Sequence, residues 1–227
     1  MTNITLLGVE LILCLLLQII IYKAHKIEGI YAYTIILFIL SCITSLKVIT
    51  IYNFELNLGF IPFITGILST NIIIQKKGYN AIKNLVIVLI ISLVASYAVL
   101  YLTSLLTSSQ TMLFTNKSYD NIMLGSERLY FANITTILYT ILLNSKLYYY
   151  LKRIKNKIWI SNLFSGIIIQ FIASILFIIL AYTFIKEPID MIKMIIIRYM
   201  ISLIILIIGT IPLYITNILN KQVADNN

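Results

Sequence analysis

Amide and hydroxyl side chains recur at helical spacing within one apolar segment of the chain. Asn133, Thr136, Thr140 and Asn144 follow one another at intervals of three, four and four residues, so they fall on one face of a helix. Their chemistry is uncharged hydrogen bonding, which suits a neutral solute better than an ion. The alternative is bonding between neighbouring spans, where such groups contribute roughly 0.6–2 kcal/mol each.

Two further apolar segments carry side chains of the same kind. Asn162, Ser165 and Gln170 lie within one broad helical face, and Asn71 and Gln75 are one helical turn apart. We expect these groups to line a polar cavity bounded by the second, third, fifth and sixth predicted spans. His, Cys and carboxylate residues show no spacing typical of a catalytic or metal site. The sequence therefore predicts a binding protein that is not an enzyme, with no metal and no cofactor.

Three basic side chains lie close to the ends of apolar segments, those of Lys47, Arg128 and Arg198. The ammonium group of Lys47 needs a carboxylate, carbonyl groups or a wet cavity, unless its long side chain reaches the lipid headgroups. Both interpretations stay open for Lys47, whereas Arg198 is expected to reach the headgroups. The candidate substrate-binding residues are Lys47, Asn71, Gln75, Arg128, Asn133, Asn144, Asn162, Ser165 and Gln170.

The elements that must position these residues are membrane-spanning helices. Of the 227 residues, 60% are hydrophobic and 11% are charged, whereas a soluble domain carries about 25% charged residues. The sequence predicts a single all-α membrane domain over residues 1–227, whose first span is retained rather than cleaved as a signal peptide. A span needs about 20 mostly apolar residues, and the count becomes six if the first span is lost or the short third segment is re-entrant. The seven predicted spans are residues 4–22, 29–50, 58–75, 82–106, 128–150, 159–185 and 193–218.

Basic residues alternate with the predicted spans. The net charge is +9, but the Lys residues stand in short segments between spans, where they orient the chain rather than bind nucleic acid. Because the segments after the first, third, fifth and seventh spans are basic, the N-terminus is predicted outside and the C-terminus in the cytoplasm. This describes a multi-pass protein of the cell membrane, with residues 107–127 as an extracytoplasmic loop and residues 220–227 as a cytoplasmic tail.

The region of the third span resembles a motif of the queuosine precursor transporter family, also called the VUT family. That family shows a Lys, a Gly twelve residues on and an Asp twelve further, and Lys47, Gly59 and Asn71 have this spacing. The segment from Asn71 to Gly78 reads N-I-I-I-Q-K-K-G, where the family pattern is D-I-L-N-E-x-Y-G. The acids of the family pattern therefore correspond to Asn71 and Gln75 here.

The second half of the chain is similar to the same family, and the resemblance covers roughly residues 28–215. Asn144 stands at a family Asp position, so every family acid that can be aligned is neutral in this chain. Family residues are retained at Arg128, Trp159, Asn162, Ser165, Gln170 and Phe177.

The resemblance implies an uptake carrier for 7-deazaguanine precursors of queuosine, such as preQ0, preQ1 or queuine. The missing acids imply an altered specificity or, alternatively, a non-transporting paralogue that acts as an interaction or assembly partner. The expected partners are a small-molecule substrate and the lipid bilayer. A separate energising subunit or a second copy of the chain stays an open expectation, because the sequence contains no nucleotide-binding motif.

Overall fold

Helices make up most of the chain in the computed structural model, which describes residues 3–51, 54–107, 113–155 and 157–225. The prediction of an all-α helical bundle is confirmed, with a two-stranded hairpin as the only sheet within these ranges. The helices are α1 (Asn3–Thr44), α2 (Phe60–Lys77), α3 (Asn80–Ser104), α4 (Leu113–Leu124), α5 (Glu127–Lys155), α6 (Ile158–Tyr182), α7 (Pro188–Ile208) and α8 (Thr210–Asp225), and the strands are β1 (Val48–Ile51) and β2 (Phe54–Asn57).

The first two predicted spans are the two arms of α1. Lys26 has a φ of 52° and a ψ of −138°, which breaks the regular helix between them. A left-handed φ is unfavourable for a residue with a Cβ, and here it lies in the short basic segment where the chain reverses. The two arms therefore cross the bundle separately, as the sequence predicts.

Four helical stretches within the described residues are long and apolar enough to cross a membrane. They are α1, α3, α6 and the stretch Pro188–Leu219, which contains α7 and the start of α8. α3 shows the pattern most plainly, because Leu85, Leu89 and Leu93 are buried at helical spacing while most of its other faces are exposed and apolar. Such a surface is stable against lipid rather than water.

α2 is the central helix of the bundle. Every residue from Phe60 to Ile74 is buried, and the helix contacts α1, α3, α5, α6, α7 and α8. A helix surrounded by other helices needs no apolar outer face, so it can carry the polar residues Thr65, Ser69 and Asn71. This position explains why the third predicted span has the weakest hydrophobic signal.

The second predicted span, residues 29–50, extends beyond the end of the helix. The helix ends at Thr44, and residues 48–51 form β1, which pairs with β2 in an antiparallel hairpin whose register joins Val48 to Asn57. The run Val-Ile-Thr-Ile is β-branched throughout, and such residues favour strands over helices. The apolar content of this run made it resemble the end of a span.

Two further boundaries differ from the prediction. The seventh predicted span, 193–218, begins earlier, at Pro188, and is divided at Gly209 into α7 and α8. A Cβ built on Gly209 would lie 2.1 Å from Leu68 Cδ1 of α2, so glycine here lets two helices approach closely. Within the predicted loop 107–127, residues Leu113–Leu124 form α4; the side of the membrane on which it lies stays a prediction.

The bundle has two distinguishable ends. The hairpin end carries β1, β2 and the segment between α6 and α7, where Lys186 forms a 2.6 Å ion pair with Glu55 of β2. The basic end carries the last turns of α2 and α5, with their lysines and arginines. The helix axes run between these ends, and the polar residues of the interior lie along them.

Candidate functional site

Three asparagines from three helices are joined by direct hydrogen bonds in the bundle interior. Asn144 of α5 donates from Nδ2 to Asn71 Oδ1 of α2 at 2.8 Å, and Asn71 donates from Nδ2 to Asn162 Oδ1 of α6 at 2.9 Å. Asn162 in turn donates to Thr210 Oγ1 of α8 at 3.0 Å. We call Asn144, Asn71, Asn162 and Thr210 the amide relay. It brings together the second half of the chain and its central helix.

The three asparagines of the relay are buried, Thr210 is half-buried, and no member is charged. Asn71, Asn144 and Asn162 are at most 1% exposed. The chain of bonds ends where Thr210 Oγ1 donates to the carbonyl oxygen of Leu206 at 3.1 Å. Each amide can both donate and accept, so the same groups can exchange their mutual bonds for bonds to a solute without leaving a buried charge.

The polar stripe of α5 divides by chemistry. Thr136 donates to the carbonyl of Ala132, and Thr140 donates to that of Thr136, so both hydroxyls are satisfied within their own helix. The amides instead reach other helices, because Asn133 donates to Ser45 Oγ at the end of α1. Bonding between neighbouring spans, the alternative for this polar stripe, therefore does not describe the two threonines, whereas the amides do bond to other helices.

Several buried polar atoms close to the relay in sequence have no partner within the described part of the chain. Asn144 Oδ1 is one, and Ser145 Oγ and Gln170 Nε2 are others. An unpaired buried polar atom is unfavourable by about 1–3 kcal/mol, and in native proteins such atoms are few. They therefore mark the positions where an additional hydrogen-bonding group would be stabilised.

A second polar layer lies one turn from the relay, towards the basic end. Gln75 donates from Nε2 to Tyr148 Oη at 2.7 Å, and Lys152 Nζ lies 3.4 Å from the carbonyl oxygen of Gln75. Lys76 donates to Asn217 Oδ1 at 3.2 Å. Burial lowers the pKa of Lys152, and burial together with the charge of Lys152 lowers the pKa of Lys76. This layer lies between the relay and the basic end. Its amide and ammonium groups donate hydrogen bonds to oxygen acceptors.

The remaining predicted site residues lie elsewhere. Lys47 is exposed in the turn before β1, and Arg128 donates from Nε to the carbonyl of Leu180 at the end of α6. Ser165 donates to the carbonyl of Asn162 in its own helix, and Gln170 is buried further along α6. The structure therefore brings together Asn71, Asn144 and Asn162, with Gln75 one turn away, and separates Lys47, Arg128 and Asn133 from them.

Arg198 is buried, and the expectation that it reaches the headgroups was wrong. Its side chain is 3% exposed, its Nη1 donates to Asn57 Oδ1 at 2.7 Å, and its guanidinium carbon lies 4.4 Å from the centroid of Phe177. The one sequence signal was that Arg198 and Ser202 share a helical face. The burial of Arg198 follows from the tertiary structure, in which β2 packs on that face.

Other interior partners were also missed by sequence reasoning. Thr210 and Tyr148 complete bonds to Asn162 and Gln75, and Gln18 of the first arm of α1 donates to Ser69 Oγ of α2 at 2.8 Å. Gln18 could have been suspected as one polar group within an apolar run, whereas Tyr148 is one of three consecutive tyrosines. Thr210 had no comparable signal, because a threonine at a predicted span interior usually bonds its own helix.

The sequence model of one protein family matches most of the chain. The family is described as "Putative vitamin uptake transporter", and the match covers residues 57–216. This range includes every member of the amide relay and excludes α1 and β1. No curated protein and no solved structure matches the chain.

Proposed function

Since the chain belongs to this family of vitamin uptake transporters, we propose that it carries a small, neutral, planar solute across the membrane by way of the amide relay. The solute class that fits best is the 7-deazaguanine precursors of queuosine. The single observation that carries the proposal is the convergence of three amides from α2, α5 and α6 within hydrogen-bond distance of one another. Purine-like bases present mixed donors and acceptors along their edges, which amides can match.

The identity of the relay residues supports uptake without proton transfer at this point. Asn71 and Asn144 both stand where the resemblance places acids, and their side chains are 2.8 Å apart. Two carboxyl groups this close would share a proton, because both cannot ionise together. Amides at the same positions keep the hydrogen bonds but hold no exchangeable charge, so solute binding here is independent of protonation.

The relay lies between two sets of polar contacts along the bundle. Towards the basic end lies the bond between Gln75 and Tyr148. Towards the hairpin end lies Arg198 with Asn57, about 15 Å along α7 from the end of that helix at Ile208. A carrier of this design would expose the relay alternately by parting one layer and then the other.

Complementation tests the proposed substrate. In cells that make neither preQ0 nor preQ1, expression of the chain should restore queuosine in tRNA when the uncharged precursor preQ0 is fed at low concentration. Asn144→Ala should lower uptake about tenfold, because it removes a donor and an acceptor worth about 1–3 kcal/mol when buried. Asn121→Ala is the matched control, since Asn121 is exposed on α4.

The complementation result also distinguishes a transporter from a protein that does not transport. Failure of rescue by correctly inserted protein would contradict the queuosine-precursor assignment. A thermal-shift panel of purine analogues on the purified protein would then look for another ligand. Absence of any shift in that panel would favour the paralogue that acts as an assembly partner.

A further inference from the structure

Arg198 lies in a pocket of aromatic and amide groups at the hairpin end of the bundle. Its guanidinium carbon is 4.4 Å from the ring centroid of Phe177 on α6 and 5.9 Å from that of Phe63 on α2. Both distances are within the range of cation–π attraction. Asn57 at the end of β2 accepts from Nη1 at 2.7 Å. We call these four residues, with Tyr182, the Arg198 site.

The charge of Arg198 has no carboxylate partner among the described residues. The two ion pairs there join Lys186 to Glu55 and Lys193 to Asp190. A buried charge is unfavourable unless it is paired or well hydrogen-bonded, and an ionisable residue inside a membrane bundle is a functional candidate by default. The side chain is 3% exposed, so water at the surface does not compensate for the missing partner.

The neighbouring unpaired atoms can each donate a hydrogen bond, and the hydroxyl of Tyr182 can also accept one. Asn57 Nδ2 and Tyr182 Oη are buried without hydrogen-bond partners within the described residues. The Tyr182 ring packs edge-on against that of Phe177, with centroids 6.3 Å apart. Together with the guanidinium N–H groups, these atoms form a donor-rich site, whereas the open atom of the relay, Asn144 Oδ1, is an acceptor.

A surface cleft lies beside α7, one helical turn before Arg198. It has a volume of about 130 Å³ and lies between β2 and the first turns of α7, with Phe54, Glu55, Asp190, Lys193 and Met194 as its lining. Met194 is one helical turn before Arg198 and is buried. The acids of the cleft are already paired with lysines, so they offer a solute little net charge.

We infer that the Arg198 site is a first binding station that selects solutes by an acceptor-bearing edge and rejects cationic ones. This inference rests on the proposed function. A guanidinium donates in a fork to the carbonyl edge of guanine in protein–nucleic acid complexes. In 7-cyano-7-deazaguanine the carbonyl oxygen and the nitrile nitrogen are acceptors on one edge. The 7-aminomethyl compound carries a primary amine, which is an ammonium group at neutral pH, and Arg198 repels it.

The test is the initial accumulation of each labelled compound, fed separately to cells expressing the full chain. The wild-type chain should accumulate the 7-cyano compound at least tenfold faster than the 7-aminomethyl compound. Arg198→Gln should reduce that ratio at least tenfold, since it removes both the fork and the repulsion. Arg153→Lys, an exposed change at the basic end, is the control and should leave the ratio unchanged.

A second variant covers the case in which Arg198→Gln does not fold. Asn57→Asp supplies the buried guanidinium with a carboxylate, so the protein should insert normally and the ratio should fall as for Arg198→Gln. Immunoblots of the membrane fraction report the amount of each variant. Parallel changes for both compounds, or a wild-type preference for the 7-aminomethyl compound, would overturn the Arg198 inference alone. If the wild-type chain accumulates neither compound, the proposed substrate is overturned as well.

Discussion

The relay asparagines and the α5 threonines form hydrogen bonds with different partners, although both kinds of side chain are neutral and polar. Thr136 and Thr140 donate to carbonyls of their own helix, because a short β-hydroxyl can reach the preceding turn. Asn71 and Asn144 are longer and reach a neighbouring helix, where each amide meets another amide. The interhelical polar chemistry of the protein is therefore concentrated in its asparagines and glutamines.

The absence of acids in the relay leads to a prediction on pH dependence. The initial uptake rate of the wild-type chain should differ by less than twofold between pH 6 and pH 8, since no member of the relay titrates in that pH range. The double variant Asn71→Asp with Asn144→Asp places two carboxyl groups at a site where one proton must be shared. Its uptake per molecule should change several-fold over the same range.

Initial uptake rates, corrected for the amount of protein in the membrane, measure this difference. Asn121→Asp on the exposed face of α4 is the control and should behave as the wild type does. A flat pH profile for the double variant, at normal protein amount and with retained uptake, would show that the relay does not contact the solute.

The element that organises the bundle is α2, which touches most of the other helices. Its close approach to α8 depends on a residue without a Cβ, since a Cβ on Gly209 would lie 2.1 Å from Leu68 Cδ1. Leu68 is fully buried, so its side chain can turn away only against packed neighbours. Thr210, the end of the relay, is the next residue along the chain, and it depends on the same contact.

A substitution at this contact should therefore destabilise the bundle. We expect Gly209→Val to lower the free energy of unfolding by about 1–3 kcal/mol, as overpacking of a close-packed interior does. Adding Leu68→Ala should restore part of the loss, because it makes room for the new side chain. Thermal unfolding in detergent measures both effects.

Gly8→Val is the matched control for this prediction. A Cβ on Gly8 would meet no atom within 4 Å. The thermal unfolding midpoint of Gly8→Val should therefore stay close to that of the wild type. Equal midpoints for Gly209→Val and Gly8→Val would contradict the close approach of α2 and α8.

At the scale of the whole molecule, the charge distribution predicts how the bundle lies in the membrane. The last turn of α5 carries Lys152, Arg153 and Lys155, and that of α2 carries Lys76 and Lys77. Both turns lie at the same end. The positive-inside rule assigns this end to the cytoplasm, which makes the hairpin end, the cleft and Arg198 the side that a solute meets first.

Reporter fusions test this orientation. Alkaline phosphatase joined after residue 107 should be active, because the reporter would lie outside the cytoplasm, and a green fluorescent protein joined after residue 225 should be fluorescent. The reverse pattern would place the relay's basic side outside. It would also exchange the order in which a solute meets the Arg198 site and the relay.

Hydropathy and spacing were sufficient for much of this description. Apolar segments located the helices because the backbone must satisfy its hydrogen bonds within a span, and the helical period placed Asn133, Thr136, Thr140 and Asn144 on one buried face. The same reasoning failed for residues 48–50, because a short β-branched run is apolar whether it forms a strand or a helix end.

The sequence by itself determined the class of the protein, the positions of most helices and the uncharged type of the candidate amide residues, because these follow from the composition and period of single segments. Only the tertiary structure decided which polar groups meet. Asn71 and Asn162 are 91 residues apart and bond directly, while Lys47 and Arg128 lie away from them. Arg198 is buried because β2, α2 and α6 supply Asn57, Phe63 and Phe177 around it from other parts of the chain. Contacts between helices depend on their order and rotation around α2, and the period of one helix does not contain that information.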